Sequence, residues 1–222
     1  MTISSDRGLP GLAYPEASLH DIAVELTTSY EGVFNAETVQ RYVLESYTAL
    51  VRTSSVKSHL VTQTARFAKE RLTALAQAQG SLMKDRPEVL FVCEHNAGRS
   101  QLAAALTAKL SKGSVHVRSA GSLPRSEIDP VVRTVADEFG LDLSTEFPKP
   151  LTDDIVQAAD VVITMGCGDA CPIYPSKRYI DWDLDDPSGA SLEQARRIRD
   201  QIAMQVEALL AEFAERQPSA DR

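Results

Sequence analysis

Residues 88–100 read Glu88-Val-Leu-Phe-Val-Cys93-Glu-His-Asn-Ala-Gly98-Arg99-Ser100, and this stretch decides the fold. Val89–Val92 is a short apolar run of the kind that forms a strand buried on both faces. From Ser100 to Leu110 the patterning is helical. A loop at a helix N-terminus turns backbone N–H groups toward an anion, and the helix dipole adds positive potential. Gly98 permits backbone conformations that other residues resist. Arg99 offers a planar fork for a tetrahedral oxyanion. The same field favours a thiolate at Cys93, and the Ser100 hydroxyl can hydrogen-bond that sulfur. A substrate-binding loop of Glu94, His95, Asn96, Ala97, Gly98, Arg99 and Ser100 would therefore hold an oxyanion beside a nucleophile. His95 can line that pocket or stand on an exposed loop. Glu94, awkward beside an anion, is expected to point to solvent. The plain alternative is a packing cysteine at a strand end; the strand before it and the helix after it argue against that.

Working outward, Val115–Arg118 alternates like a strand. Asp129-Pro130 opens a helix running to about Phe139, with Asp as cap and Pro in the first turn. Asp160–Thr164 reads as a second buried strand, and Arg178–Leu184 is strand-like. Ser191 with Gln194 looks like a capping box for a long last helix, whose face is Leu192, Ala195, Ile198, Ile202, Val206, Leu209 and Phe213. Strands alternating with helices predict an α/β fold, with a parallel four-stranded sheet flanked by helices.

Upstream the texture differs. Residues 1–15 hold Gly8, Pro10, Gly11 and Pro15 and show no periodicity. Three helical stripes follow: Leu19, Ile22, Ala23, Leu26 and Tyr30; then Val39, Tyr42, Val43, Ser46, Leu50 and Val51; then Leu60, Thr64, Phe67, Ala68, Leu72 and Leu75. Ser18 with Asp21 suggests a capping box for the first, Gly32 a break, and Asn35 a cap for the second. This predicts an all-α three-helix bundle over residues 1–80, a linker at 81–87, a catalytic domain at 88–215 and a frayed tail at 216–222.

The chain has 222 residues, with 23 Lys plus Arg against 31 Asp plus Glu, a formal charge of −8. An acidic surface is a poor nonspecific binder of nucleic acid or anionic membrane. Hydrophobic residues at 43% and charged residues at 24% are a globular composition. There is no apolar run long enough to span a membrane and no early basic-then-apolar segment, so no membrane helix or secretory signal is expected. Three cysteines are too few for a disulfide scaffold, which points to a reducing cytoplasm.

Cys93-Glu-His-Asn-Ala-Gly-Arg-Ser100 resembles the phosphate loop of the low-molecular-weight protein tyrosine phosphatase superfamily. Ser119-Ala-Gly121 and Asp186-Pro187 add to the likeness, which covers residues 88–215. In that family the Asp before the proline is the general acid, a role the resemblance assigns to Asp186 ahead of its neighbour Asp185. Read from the residues alone, Asp186-Pro187 could equally be a turn opening.

The stretch Thr164-Met-Gly-Cys167-Gly-Asp-Ala-Cys171-Pro172 follows a buried strand, so Cys167 and Cys171 are expected on the same sheet edge as Cys93. Three converging thiols suggest relay of a disulfide. The Cys-x-x-x-Cys-Pro pattern, Asp185-Asp-Pro-Ser-Gly189 and Arg196-Arg-Ile-Arg199-Asp-Gln-Ile202 are similar to the thioredoxin-coupled arsenate reductases of the superfamily. The resemblance implies that Cys93 attacks arsenate, Cys167 attacks Cys93, and Cys171 carries the disulfide outward for thioredoxin to reduce. It also implies no resident cofactor beyond thioredoxin as electron donor, and a homodimer through the bundle, which some actinobacterial-type reductases carry. Three departures stand out. The resolving cysteines are closer together than in the well-known members. Ala104 stands where potassium-binding members have a Glu, so no metal site is expected. Ser188-Gly-Ala190 replaces the tyrosines with which the phosphatases hold their substrate ring. The competing readings are a mycothiol-dependent reductase, a low-molecular-weight phosphatase, a non-catalytic arsenite-binding protein, and structural zinc on Cys167 and Cys171 with His59 or His116.

Overall fold

A computed structural model of the chain describes residues 15–53, 58–166, 172–175 and 177–216. Its centre is a parallel sheet of β1 (Glu88–Cys93), β2 (His116–Gly121), β3 (Val161–Met165) and β4 (Arg178–Asp181), in the order β2-β1-β3-β4. β1 lies inside the sheet, and the register sets Cys93 beside Gly121 on β2 and Met165 on β3. All three strand ends therefore open on one edge.

The run at 89–93 is apolar throughout because both of its faces are covered. Val89, Phe91 and Cys93 face α4 (Arg99–Ser111), α5 (Pro130–Glu138) and α7 (Leu192–Arg216), with Leu102, Leu106, Val132 and Ile202 in that core. Leu90 and Val92 turn the other way, toward α6 (Asp153–Ala158). The caps expected for α5 and α7 are present. Asp129 Oδ1 accepts from Val131 N at 3.0 Å, and Ser191 and Gln194 form a reciprocal box.

The N-terminal bundle consists of α1 (Pro15–Ser29), α2 (Ala36–Thr53) and α3 (Leu60–Ala78). Asn35 caps α2, its Oδ1 accepting from Thr38 N at 2.8 Å. α1 begins three residues before the expected Ser18 cap, because Pro15 suits the first turn of a helix. α6 was not expected. Six residues between Pro150 and the next strand carry too little periodicity to be read, although Ile155, Val156 and Ala158 are all buried.

The bundle does not stand apart from the sheet. α3 has two buried sides: Ala68 and Leu72 pack against α1 and α2, while Leu60, Phe67 and Ala74 share a core with Leu90, Val92, Ile155 and Val162. Two buried ionic ties reinforce the seam. Arg71 on α3 reaches Asp154 on α6 at 3.3 Å. Arg118 on β2 pairs with Glu88 on β1 and donates to the Glu70 carbonyl and to Gln77 Oε1 on α3. The texture change at 81–87 is thus a bend in the chain rather than a gap between cores. Cys167, Cys171 and the tail from 217 onward lie outside the described residues.

Candidate active site

Cys93 ends β1 with its side chain buried, 3% exposed, at the foot of a cleft on the strand-end edge. Its Sγ receives the Asn96 N–H at 3.2 Å and stands 3.0 Å from Ser100 Oγ. Both contacts suit a thiolate, which only accepts. Asn96 makes the loop possible. It adopts φ 46°, a left-handed conformation that Asn tolerates better than most residues. Its fully buried side chain is held at both ends: Nδ2 donates to Ser100 Oγ at 2.8 Å, and Oδ1 accepts from Gln101 Nε2 and from Lys149 N. Asn96 thus shapes the loop from beneath, and its N–H is the part aimed at the sulfur.

The remaining loop residues take distinct places. Ala97, Gly98 and Arg99 line the cleft. His95 lines it too, with Nδ1 3.1 Å from the Leu123 carbonyl. Glu94 points outward, half exposed, its Oε2 3.8 Å from His95 Nε2. Glycines allow the surrounding loops to close. A Cβ on Gly98 would lie 2.8 Å from Pro187 Cγ, and one on Gly121 would lie 2.8 Å from Asn96 N.

Arg99 stands at the start of α4, its Nη1 donating to the Leu184 carbonyl at 3.1 Å and its Nη2 3.5 Å from Asp186 Oδ2. Asp186 therefore lies on the cleft wall, while Asp185 is exposed and outside it. Asp186 Oδ1 also accepts from Ser188 N at 2.9 Å, so the Asp-Pro step is a turn as well as a site.

Sequence reasoning missed two cleft residues. Arg125 follows β2 on the same edge, and its Nη1 donates to Ser188 Oγ at 2.6 Å, spanning the cleft mouth. Asp129, read only as a helix cap, also lines the cleft. The edge rule for parallel sheets was the available signal for both.

β3 delivers the segment that carries the other two cysteines. Gly166 directly follows β3 at φ 67°, and a Cβ there would lie 2.9 Å from Arg99 Nη1. Cys167 comes next in sequence, outside the described residues. Among the described residues no group of three or more His, Cys, Asp or Glu is placed to hold a metal. Nor is any helix among them long and apolar enough to cross a membrane.

A parallel sheet whose central strand ends in a Cys-x5-Arg-Ser anion loop, facing an Asp-Pro turn, defines a phosphatase-type α/β protein. The family model described as low molecular weight phosphotyrosine protein phosphatase matches residues 88–219, and the one described as protein-tyrosine-phosphatase-like N-terminal domain matches residues 19–76. The chain belongs to the low molecular weight phosphotyrosine protein phosphatase family. It is similar to the thioredoxin-dependent arsenate reductase of Corynebacterium glutamicum, at 48% identity and a TM-score of 0.82 over 91% of this chain and 99% of that one. A glutaredoxin arsenate reductase from Synechocystis is 35% identical over 57% of this chain and 98% of its own length. An arginine phosphatase from Geobacillus stearothermophilus is 25% identical, with a TM-score of 0.53 over 61% of this chain and 98% of its own.

Proposed function

We propose that the protein is a thioredoxin-coupled arsenate reductase whose electrons pass through Cys93, Cys167 and Cys171. One observation carries the proposal: the Cys93 sulfur sits in an anion loop, and the segment leading into Cys167 passes against Arg99 of that same loop. The likeness to a thioredoxin-dependent reductase over 91% of this chain, both domains included, supports it.

The steps balance as follows. The Cys93 thiolate attacks arsenate held by the loop N–H groups and Arg99, and Asp186 protonates the oxygen that leaves as water. The Cys167 thiolate then attacks Cys93 Sγ. The As–S bond breaks with its electron pair going to arsenic, so As(V) becomes As(III) and arsenite departs, while two thiols become a Cys93–Cys167 disulfide. Cys171 attacks Cys167, Cys93 leaves as a thiolate, and a thioredoxin dithiol reduces the Cys167–Cys171 disulfide. The cycle uses only the chain's own thiols and thioredoxin, and it belongs in a reducing cytoplasm. The bundle would pair two chains: α3 is committed to the sheet, whereas Val24 on α1 and Leu44 on α2 are about half exposed.

Arsenate-dependent NADPH oxidation in the presence of thioredoxin and thioredoxin reductase tests this reading. Oxidation should depend on all three components. Turnover only with mycothiol components would reassign the reductant, and hydrolysis of a phosphomonoester without arsenate reduction would make the protein a phosphatase.

A further inference from the structure

The N-terminal bundle reaches the nucleophile through a short chain of contacts. Glu70 lies on α3, and its Oε2 is 2.9 Å from Lys149 Nζ. Both side chains are largely buried, 19% and 9% exposed. Lys149 is fixed at its backbone too. Its N–H donates to Asn96 Oδ1 at 2.8 Å, and its carbonyl accepts from Gly121 N at 2.9 Å. Asn96 in turn gives its own N–H to Cys93 Sγ and its Nδ2 to Ser100 Oγ. Glu70 is held by Arg118, whose Nη1 donates to the Glu70 carbonyl and lies 3.8 Å from its Oε1. Arg118 is itself paired with buried Glu88.

We propose that Glu70 is a positioning residue for the catalytic loop, so that the bundle sets the reactivity of Cys93. Asn96 holds a left-handed backbone that persists only where its surroundings over-determine it. Lys149 N–H is one of the two donors that fix its side-chain oxygen. Without the Glu70 carboxylate, the nearest remaining anion for the Lys149 ammonium is Glu146, whose Oε2 is 3.9 Å away on the neighbouring turn. The ammonium would swing toward it, and the 148–150 backbone with it. The Asn96 N–H would then lose its aim at the sulfur. The proposal rests on Cys93 being the nucleophile, as in the reading above, but not on arsenate being the substrate.

The test uses the full chain with Glu70→Gln, Lys149→Gln, the double variant, Glu70→Asp, and Arg71→Gln as a control. Arg71 lies on the same helix and ties it to Asp154, Ser46 and Glu45, without touching Lys149 or Asn96. Iodoacetamide alkylation of Cys93 is followed against pH by peptide mapping, and kcat and KM are measured separately. Glu70→Gln should slow alkylation at neutral pH by at least about threefold and lower kcat similarly, with KM changing less than about twofold. The alkylation profile should move to higher pH. The double variant should be no slower than Lys149→Gln alone, as expected of residues acting in one chain. Glu70→Asp keeps the charge and should recover most of the rate, whereas Arg71→Gln should keep the wild-type profile despite a weaker seam. Unchanged alkylation in Glu70→Gln, or an equal slowing in Arg71→Gln, would overturn the proposal. Alkylation needs no substrate, so a protein without arsenate reductase activity still answers the question.

Discussion

Arg99 holds its guanidinium between the Leu184 carbonyl and the Asp186 carboxylate, with Gly166 backed against it. Shape matters there as much as charge. Arg99→Lys keeps the charge but loses the planar fork, so kcat/KM should fall at least about tenfold, roughly 1.4 kcal/mol of transition-state stabilisation. Kinetics equal to wild type would remove Arg99 from the substrate. The two aspartates separate by position. Asp186 is on the cleft wall and Asp185 is not, so Asp186→Asn should lower kcat while Asp185→Asn leaves it near wild type. The reverse ranking would move the acid to Asp185. Local spacing put Cys93 and Arg99 on one loop between a strand and a helix start, whereas Asp186 entered through the family resemblance, because from the residues alone Asp186-Pro187 reads equally as a turn opening. Arg125 was not legible, because its role depends on Ser188, 63 residues away, and nothing local announces that contact.

Between elements, the pair of Glu88 on β1 and Arg118 on β2 is almost wholly buried. Burial opposes the charge on Glu88, but the His116 imidazole and the Arg118 guanidinium outweigh it and hold the carboxyl below its ordinary value. Glu88 Oε2 and His116 Nδ1 face each other at 3.4 Å without the geometry of a hydrogen bond. A carboxyl with a lowered folded pKa contributes stability that is fully present above its unfolded value of about 4.3 and is lost as pH falls through the lower folded value. Glu88→Gln should flatten that acid limb of a pH series of thermal melts. It should also destabilise the protein at neutral pH by up to about 3 kcal/mol, since buried Arg118 loses its closest charged partner and keeps only the Glu70 carboxylate, 3.8 Å away. An acid limb as steep as wild type would mean another carboxylate causes it. Helix ends marked by Asn35, Asp129 and Ser191 were readable because a cap is a local hydrogen bond. The α3 seam was not. Phe67 and Leu72 both read as one apolar stripe, and only the fold shows that one faces the sheet and the other the bundle.

Across the whole molecule, the sheet and the bundle share a core, which changes how assembly must be tested. Removing residues 1–80 would uncover Leu90, Val92 and Val162 on the sheet, so surface substitutions are the cleaner probe. If the bundle pairs two chains through α1 and α2, Val24→Glu with Leu44→Glu should halve the mass seen by light scattering while leaving the far-UV spectrum intact. A dimer that survives both changes would place the contact elsewhere. Alternation of strands and helices made the α/β architecture legible from sequence, and the shared edge of parallel strands gave the expectation that Cys167 and Cys171 lie near Cys93, whereas the place of Asp186 came by resemblance. The proposed three-cysteine relay would join distant parts of the chain, and it is tested most directly by treating Cys171→Ser with arsenate and mapping its disulfides by mass spectrometry. The variant should release about one arsenite per subunit and then stop with Cys93 joined to Cys167, because no thiol remains to carry the disulfide outward. Sustained turnover of Cys171→Ser with thioredoxin, and no Cys93–Cys167 disulfide, would contradict the relay.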